Sequence, residues 1–200
     1  MSSTEIVTDK PSYLGLLNAI SLAETAAGIH LEAWAEATPH SGLAATLRLV
    51  AARERSHGEV FCRRIAELGF TLRPKADPRG PARLAKLADP NLSDLDKIPP
   101  RGAAEADPFG EIRQRLAEGE FDPMTANLMG WYIAEEKDSE RRLREAYEGV
   151  REAAGQARRQ GAKAPQHEAP SADAQAIMAC MTAGFARLEK AMEKLAKAKK

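Results

Sequence analysis

Apolar residues recur every three or four positions along most of this chain. That spacing places them on one face of an α-helix, whereas a half-buried strand would alternate apolar and polar residues. β-branched and aromatic residues are scarce and never alternate over a useful length, while Ala, Leu, Glu, Arg and Lys abound. The pattern therefore predicts an all-α fold.

The first two periodic segments predict a helical hairpin. The first helix is predicted over about residues 12–37, because Pro39 disfavours a helical conformation in the residue before it. The second is predicted over about residues 42–68, and Gly69 marks its end. Since only a few residues connect them, the two helices should pack as antiparallel neighbours.

A long connection and a second hairpin are predicted next. Seven of the chain's twelve prolines lie in residues 70–107 or directly after them, which predicts a crossover with a helical turn near residues 82–87. Two Asp-Pro pairs then predict a short helix over about 108–118 and a long helix over about 123–152. Aspartate is a favourable N-cap, and proline suits the first position of a helix.

The ends of the chain differ from the predicted bundle, which spans residues 12–152. Residues 1–11 are predicted to be a disordered N-terminus, and small and polar residues predict a flexible linker over 153–170. Residues 171–198 predict a tethered amphipathic helix. We expect that helix to cover its own bundle or a neighbouring subunit, so homo-oligomers are expected through it or through the first hairpin.

Charge and composition narrow the classes of partner. Lys plus Arg equals Asp plus Glu at 29 each, so net charge gives no support to nucleic-acid binding. The N-terminus lacks a signal-type pattern, and no run approaches about eighteen uninterrupted apolar residues, so neither secretion nor membrane insertion is expected. The two cysteines, Cys62 and Cys180, form no CxxC pair. We expect a soluble cytoplasmic protein.

A glutamate and a histidine interrupt the apolar stripe of the second predicted helix. In "AARERSHGEVF", residues 51–61, Glu54 and His57 lie at positions that continue the buried series. A charged group there is costly unless it is paired or coordinates a metal. Glu24 lies in the stripe of the first helix, as far before the turn as Glu54 lies after it. Equal distances from a hairpin turn put Glu24 level with Glu54, facing it and His57.

These features resemble the rubrerythrin and ferritin-like superfamily over about residues 12–150. The resemblance rests on Glu24, on the Glu-x-x-His of "RERSHGEVF", and on the order hairpin, crossover, hairpin. It implies a ferritin-like four-helix bundle of two hairpins joined by a long crossover. It also implies an oxidoreductase of the diiron-carboxylate type, with one or two iron or manganese ions that react with oxygen or peroxide. Glu24 and Glu54 would then be terminal or bridging ligands, and His57 the nitrogen ligand.

The second hairpin departs from the family pattern. Alignment of the apolar positions of the second and last long helices places Glu136 opposite Glu54, and Ser139 where the second histidine is expected. Glu136 is thus the predicted metal ligand from the far hairpin. An alternative register uses Glu135 and Asp138, which supplies two carboxylates and still no imidazole.

The fourth carboxylate of a dimetal site has no obvious source. The position as far before the turn near residue 121 as Glu136 lies after it is about residue 106. Only Glu105 or Asp107 could therefore supply the fourth carboxylate. Asp107 is better interpreted as a helix cap. The sequence therefore predicts a site with a degenerate second half.

Three arrangements remain open. In the first, one chain holds an asymmetric metal site made from Glu24, Glu54, His57 and either Glu135 or Glu136. In the second, two subunits each give the first three of these residues to a shared site, similar to the encapsulated ferritins, whose half-bundles dimerise. In the third, these polar groups hydrogen-bond one another, no metal binds, and the helical bundle is a scaffold for protein–protein interaction.

Other polar and aromatic residues have simpler interpretations. His30 lies off the stripe of Glu24 and is interpreted as a surface or rim group. Trp131 and Tyr132 are interpreted chiefly as core packing. Neither a nucleophilic triad nor a glycine-rich phosphate loop occurs, so hydrolase chemistry is not expected.

Overall fold

The computed structural model describes residues 10–100 and 107–159, and the regular secondary structure within these two ranges is entirely helical. Three helices are long and three are short. In chain order they are α1 (Leu14–Ala37), α2 (Ser41–Glu67), α3 (Gly80–Ala88), α4 (Asp94–Lys97), α5 (Gly110–Ala117) and α6 (Pro123–Arg159). The predicted all-α class is confirmed for these residues.

The long helices of the described region pack in sequence, α1 along α2 and α2 along α6. A four-helix bundle requires a fourth long helix, and the helix before α6, which is α5, was predicted to be that helix. Helix α5 has only 8 residues, whereas α1 has 24. At about 1.5 Å per residue, α5 covers about 12 Å, a third of the length of α1. The four-helix arrangement is therefore not confirmed.

The predicted helix ends agree with the structure except at the end of α6. Helices α1 and α2 begin and end within two residues of the predicted positions. Helix α6 continues to Arg159, so the prediction of a flexible linker is wrong for residues 153–159. Alanine, glutamine and arginine in this stretch favour helix, and the single Gly155 costs only about 1 kcal/mol. Residues 160–200, which include the predicted C-terminal helix, lie outside the described residues, as do residues 1–9.

The proline-rich crossover contributes to the core. Helix α3, which includes the predicted turn at 82–87, packs against α1, and its Leu87 is buried. Helix α4 was not predicted. Its Asp94 accepts hydrogen bonds from the Trp34 indole and the Thr38 hydroxyl at the end of α1. These contacts fasten the crossover to the first hairpin.

The apolar core consists of two clusters. One contains Leu16, Leu17 and Ile20 of α1, Phe61 and Ile65 of α2, Ile112 of α5, and Met129, Tyr132 and Ile133 of α6. The other contains Leu31 and Trp34 of α1, Leu47, Val50 and Ala51 of α2, and Leu143, Tyr147 and Val150 of α6. On each long helix, about three turns separate the two sets. The buried polar residues lie in this intervening layer.

Small residues bring α1 and α2 into close contact within the layer. A Cβ atom added to Gly28 would lie 2.9 Å from the carbonyl oxygen of Ala51. On the other side of the layer, the Ser21 hydroxyl donates to the Gly58 carbonyl at 2.7 Å. The two backbones thus approach closely on both sides of Glu24, which holds this helix pair in a fixed register.

Helix α1 is also long and apolar enough, by length and composition alone, to span a membrane. Half of the residues in its most apolar window are buried inside the protein, and the core helix of a soluble protein passes the same test. The absence of a membrane partner therefore stays a prediction.

Asp122 caps the N-terminus of α6, as its Asp-Pro pair predicts. Its Oδ1 accepts the backbone N–H of Thr125 at 3.1 Å and the Arg64 guanidinium at 2.8 Å, while Oδ2 accepts the Tyr13 hydroxyl. Partial burial acts to raise the pKa of this carboxyl, but hydrogen bonds from Thr125, Tyr13 and Arg64 outweigh burial and hold the pKa well below its usual range. The cap joins the first turn of α6 to α2 and to the start of α1.

Replacement of this cap is expected to destabilise the protein. Asp122→Ala should lower the free energy of unfolding by about 2 kcal/mol at pH 7, because the α6 N–H groups and Arg64 lose their acceptor. A carboxyl whose pKa is lowered in the folded state stabilises fully above its unfolded pKa of about 3.9, and the effect is lost as pH falls through the folded pKa. Urea unfolding from pH 7 to about pH 2 should therefore show the difference shrinking below about pH 5. A difference independent of pH would contradict the contribution of the charge.

Candidate metal centre

Four buried ionisable side chains converge in the polar layer. Helix α1 supplies Glu24, α2 supplies Glu54 and His57, and α6 supplies Glu136. Each offers one potential metal-ligand atom, and these four atoms lie within 4.8 Å of one another. Their residues are 0% to 6% exposed. One chain therefore brings together four of the five predicted site residues, the arrangement expected for a site within one chain. We call these four residues the Glu/His cluster.

Helix geometry accounts for the convergence. Glu54 and His57 are three residues apart on α2 and therefore lie on one face of that helix. The close approach of α1 and α2 at Gly28 keeps Glu24 level with them. Helix α6 closes the third side and directs Glu136 inward, where it is 6% exposed.

The Glu/His cluster contains polar atoms that make no hydrogen bond to any described residue. They are one atom from each residue: Glu24 Oε2, Glu54 Oε1, His57 Nδ1 and Glu136 Oε1. His57 Nδ1 lies 3.2 Å from Glu136 Oε1 and 3.8 Å from Glu24 Oε2, but neither contact has the geometry of a hydrogen bond. Buried polar atoms are almost always bonded, and an ion is one explanation for a group that is not. Four residues that converge and that each keep one such atom match the requirement of a cation.

Glu135 lies behind His57, outside the cluster. Its Oε2 lies 3.0 Å from His57 Nε2, and its Oε1 lies 3.9 Å from Nε of Arg53. A hydrogen bond at Nε2 leaves Nδ1 facing the cluster. Carboxylates commonly hold metal-binding histidines through the other ring nitrogen in this way. Of the two glutamates that the alternative registers offered, Glu136 therefore lies in the cluster and Glu135 lies at its outer edge.

Two aromatic residues flank the cluster. The Tyr132 hydroxyl donates to Glu24 Oε1 at 2.8 Å, and its ring meets the His57 ring edge-on. Tyr132 is buried, as expected. Nothing in the sequence predicted its hydrogen bond to Glu24. The interpretation of Trp131 as core packing is wrong, because this residue is 38% exposed. Its ring also contacts His57 edge-on and covers it on the solvent side, with 4.9 Å between ring centroids.

The second half-site contains no further ligand among the described residues. Ser139, at the position expected for a second histidine, accepts a hydrogen bond from Arg53 at 3.2 Å. Asp107 accepts the Phe109 N–H and pairs with Arg113. Its interpretation as the helix cap is wrong, because the N-cap residue of α5 is Phe109 and no side chain caps that helix. Glu105 lies outside the described residues.

The prediction for His30 is wrong. It was expected at the surface or rim, but it is buried on α1, only 6% exposed. The crossover, which packs against α1 through α3, covers the face that the helix pattern alone left open. Burial is the main cause of a lowered pKa for its imidazole.

Burial and mutual repulsion control the charges of the cluster. Burial raises the pKa of Glu54 well above its usual range, and the carboxylates of Glu24 and Glu136 raise it further. Burial also raises the pKa of Glu136 to about 7. For Glu24, close contacts with Glu54 and His57 and the hydrogen bond from Tyr132 outweigh burial and lower the pKa. For His57, Glu136 and Glu24 outweigh burial and raise the pKa to about 10. These shifts favour the protonated forms of Glu54 and His57 in the cluster without metal.

Removal of the carboxylate behind His57 should weaken metal binding without removing a ligand. We expect Glu135→Ala to lower the affinity for Mn(II) about 10- to 100-fold, the range typical of such outer partners. Glu140→Ala is the matched control, because Glu140 lies on the same helix and its salt-bridge partner among the described residues is the exposed Arg144. Titration calorimetry measures both. Equal affinities in the two variants would mean that helix packing alone orients His57.

Comparisons with known proteins add no assignment. No family model matches the chain, and neither a curated protein nor a solved structure matches it. The resemblance to the ferritin-like superfamily therefore rests on the residues of this chain. The geometry of the Glu/His cluster carries the functional argument.

Proposed function

We propose that the protein binds a transition-metal ion, iron or manganese, at Glu24, Glu54, His57 and Glu136. The observation that carries the proposal is that each of these four residues offers a potential ligand atom within 4.8 Å of the others. Each residue also has one buried polar atom without a hydrogen bond to a described residue. With ligand bonds of about 2.1 Å, opposite ligands of one ion lie about 4.2 Å apart. A contraction of well under about 1 Å would bring all four atoms into bonding range.

The donor set supports the choice of metal. Three carboxylates and one imidazole form an oxygen-rich, hard set, which suits iron and manganese better than metals that prefer thiolate ligands. Four protein ligands leave positions open on a six-coordinate ion. Iron bound there would supply electron transfer to oxygen or peroxide, so we propose Fe(II) oxidation or peroxide reduction as the reaction.

The residues around the cluster suit that chemistry. Tyr132 fixes one oxygen of Glu24 through its hydroxyl, and Glu135 orients the His57 ring. Trp131 packs edge-on against His57, and Phe61 packs edge-on against Tyr132, so aromatic rings lie beside two residues of the site. The level placement of Glu24 and Glu54 supports a ferritin-like relationship, although α5 is much shorter than the corresponding helix of a four-helix bundle. We also propose a cytoplasmic location, where a thiol such as that of Cys62 stays reduced.

A metal-free scaffold is the second candidate function. The observation in its favour is the charge state of the cluster, because a lowered pKa at Glu24 and a raised pKa at His57 allow an internal ion pair. Protonated Glu54 adds no charge. The absence of a histidine at Ser139 points in the same direction.

Metal content separates the two candidates. The protein is expressed with added iron or manganese and analysed for metal per chain, beside Glu54→Gln and the control Glu59→Gln, an exposed residue of the same helix. We expect metal in the wild type and in Glu59→Gln, and none in Glu54→Gln. If the wild type contains no metal and does not take it up on reconstitution, the scaffold function is the correct one.

Metal binding should also release protons. The pKa of Glu54 is raised, that of His57 is raised to about 10 and that of Glu136 is raised to about 7, which favours their protonated forms without metal. Each group that is protonated must lose its proton to become a ligand. We expect the affinity for Mn(II) to rise between about pH 6 and pH 8. Calorimetric titrations in two buffers with different ionisation enthalpies count the protons released. Identical heats in both buffers would contradict proton release.

A further inference from the structure

We infer that the Glu/His cluster takes one metal ion per chain, and that Arg53 is the residue that prevents a second. This inference rests on the proposed metal binding and specifies how many ions the site holds. Three observations carry it: the number of donors, the place of the Arg53 guanidinium, and the balance of charge.

The donors suffice for one ion. A carboxylate-bridged dimetal site in a helical bundle uses four carboxylates and two histidines. The described residues supply three carboxylates and one imidazole to the Glu/His cluster. The Glu135 carboxylate is engaged by His57 Nε2, on the side of the imidazole ring away from Nδ1.

Arg53 occupies the side of the site where the second imidazole would be needed. Ser139 stands at that position on α6 and is 1% exposed, and its hydroxyl accepts from Arg53 Nη1 at 3.2 Å. The same nitrogen donates to Asp138 at 2.8 Å. A permanent cation thus lies against the position from which a second ion would be held.

Charge balance leads to the same number. With all its groups deprotonated, the cluster carries the charges of three carboxylates, because neutral imidazole adds none. One ferric ion neutralises that charge, and one ferrous or manganous ion leaves a single negative charge. Two divalent ions would leave a net positive charge beside Arg53. The carboxylate nearest to that guanidinium, on Asp138, is already shared with Arg141 and Arg142. A net positive charge on the cluster beside this permanent cation is unfavourable.

The first test uses the full-length wild-type protein and Mn(II). We expect elemental analysis to find one ion per chain and electron paramagnetic resonance to show the hyperfine pattern of an isolated ion. Two ions per chain, or the spectrum of an exchange-coupled pair, would overturn the inference and leave the proposed metal binding intact. Failure to bind Mn(II) or Fe(II) would overturn the proposed function, and the inference with it.

The second test assigns the limit to Arg53. Ser139→His supplies the missing imidazole, and Arg53→Met removes the cation while keeping an apolar stem. We expect the double variant to bind two ions per chain and Ser139→His alone to remain at one. The same number of ions in both variants, whether one or two, would overturn the role assigned to Arg53. Helical circular dichroism shows that each variant is folded, and the wild-type measurement does not depend on either.

Discussion

Mn(II) or Fe(II) at about 100 times its dissociation constant should raise the free energy of unfolding of the wild-type protein by about 2.7 kcal/mol, and should not stabilise Glu54→Gln. For a domain of this size the gain corresponds to a rise of roughly 5–10 °C in the midpoint of thermal unfolding. The gain arises because the folded chain gathers ligand atoms from α1, α2 and α6, whereas the unfolded chain does not.

Glu54→Gln is chosen because glutamine resembles the protonated acid. Burial and the neighbouring carboxylates of Glu24 and Glu136 raise the pKa of Glu54 well above its usual range, which favours the protonated acid without metal. Like the protonated carboxyl, the amide is uncharged and can donate a hydrogen bond toward Glu24, but it cannot become a carboxylate ligand. We therefore expect the variant without metal to unfold within about 0.5 kcal/mol of the wild type.

Thermal unfolding followed by circular dichroism, with and without metal, measures both effects. Glu59→Gln, on the exposed face of α2, should retain the full metal-dependent gain. A large loss of stability in metal-free Glu54→Gln would show that Glu54 has a structural role. An equal metal-dependent gain in Glu54→Gln and the wild type would place the metal elsewhere.

Gly28→Ala should lower the free energy of unfolding by about 1–3 kcal/mol, because the new methyl group overpacks the α1–α2 contact. The added Cβ would lie 2.9 Å from the Ala51 carbonyl oxygen and 3.2 Å from the Arg55 backbone nitrogen. Both are backbone atoms within α2, so α2 must move as a whole to make room. That movement should separate Glu24 from Glu54 and weaken Mn(II) binding as well.

Gly130→Ala is the matched control for this substitution. Gly130 also lies inside a helix, but it is exposed and a Cβ there would meet nothing within 4 Å. The same exchange should therefore stabilise the protein by about 0.5–1 kcal/mol, the helix preference of alanine over glycine. Urea unfolding measures both variants. If Gly28→Ala were as stable as Gly130→Ala, close approach of the two backbones would not limit the fold.

Periodicity was enough to predict the helical hairpin and its polar residues. The positions of Glu24, Glu54 and His57 in the apolar stripes follow from helix geometry and from a short turn, and both are local properties of the sequence. The position of Glu136 followed from aligning apolar residues of α2 and α6. The structure buries all four in one layer.

Contacts between segments far apart in the sequence could not be predicted from helix periodicity. His30 is buried because the crossover packs against α1. Trp131 is partly exposed because it lies on α6 at the outer edge of the His57 ring. Whether Glu135 or Glu136 enters the cluster depends on the rotation of α6 about its axis. Adjacent residues on a helix point about 100° apart, so a small difference in rotation exchanges inner and outer positions.

The sequence by itself determined the all-α class, the ends of the long helices except the last, and the presence of buried acids beside a histidine. These depend on local propensity, on capping and on a period that any helix imposes. Tertiary structure alone decided which atoms meet: the direction of His57 Nδ1, the Tyr132 bond to Glu24, and the place of Arg53 beside Ser139. Such contacts depend on the rotation and separation of packed helices, which many weak apolar interactions set together.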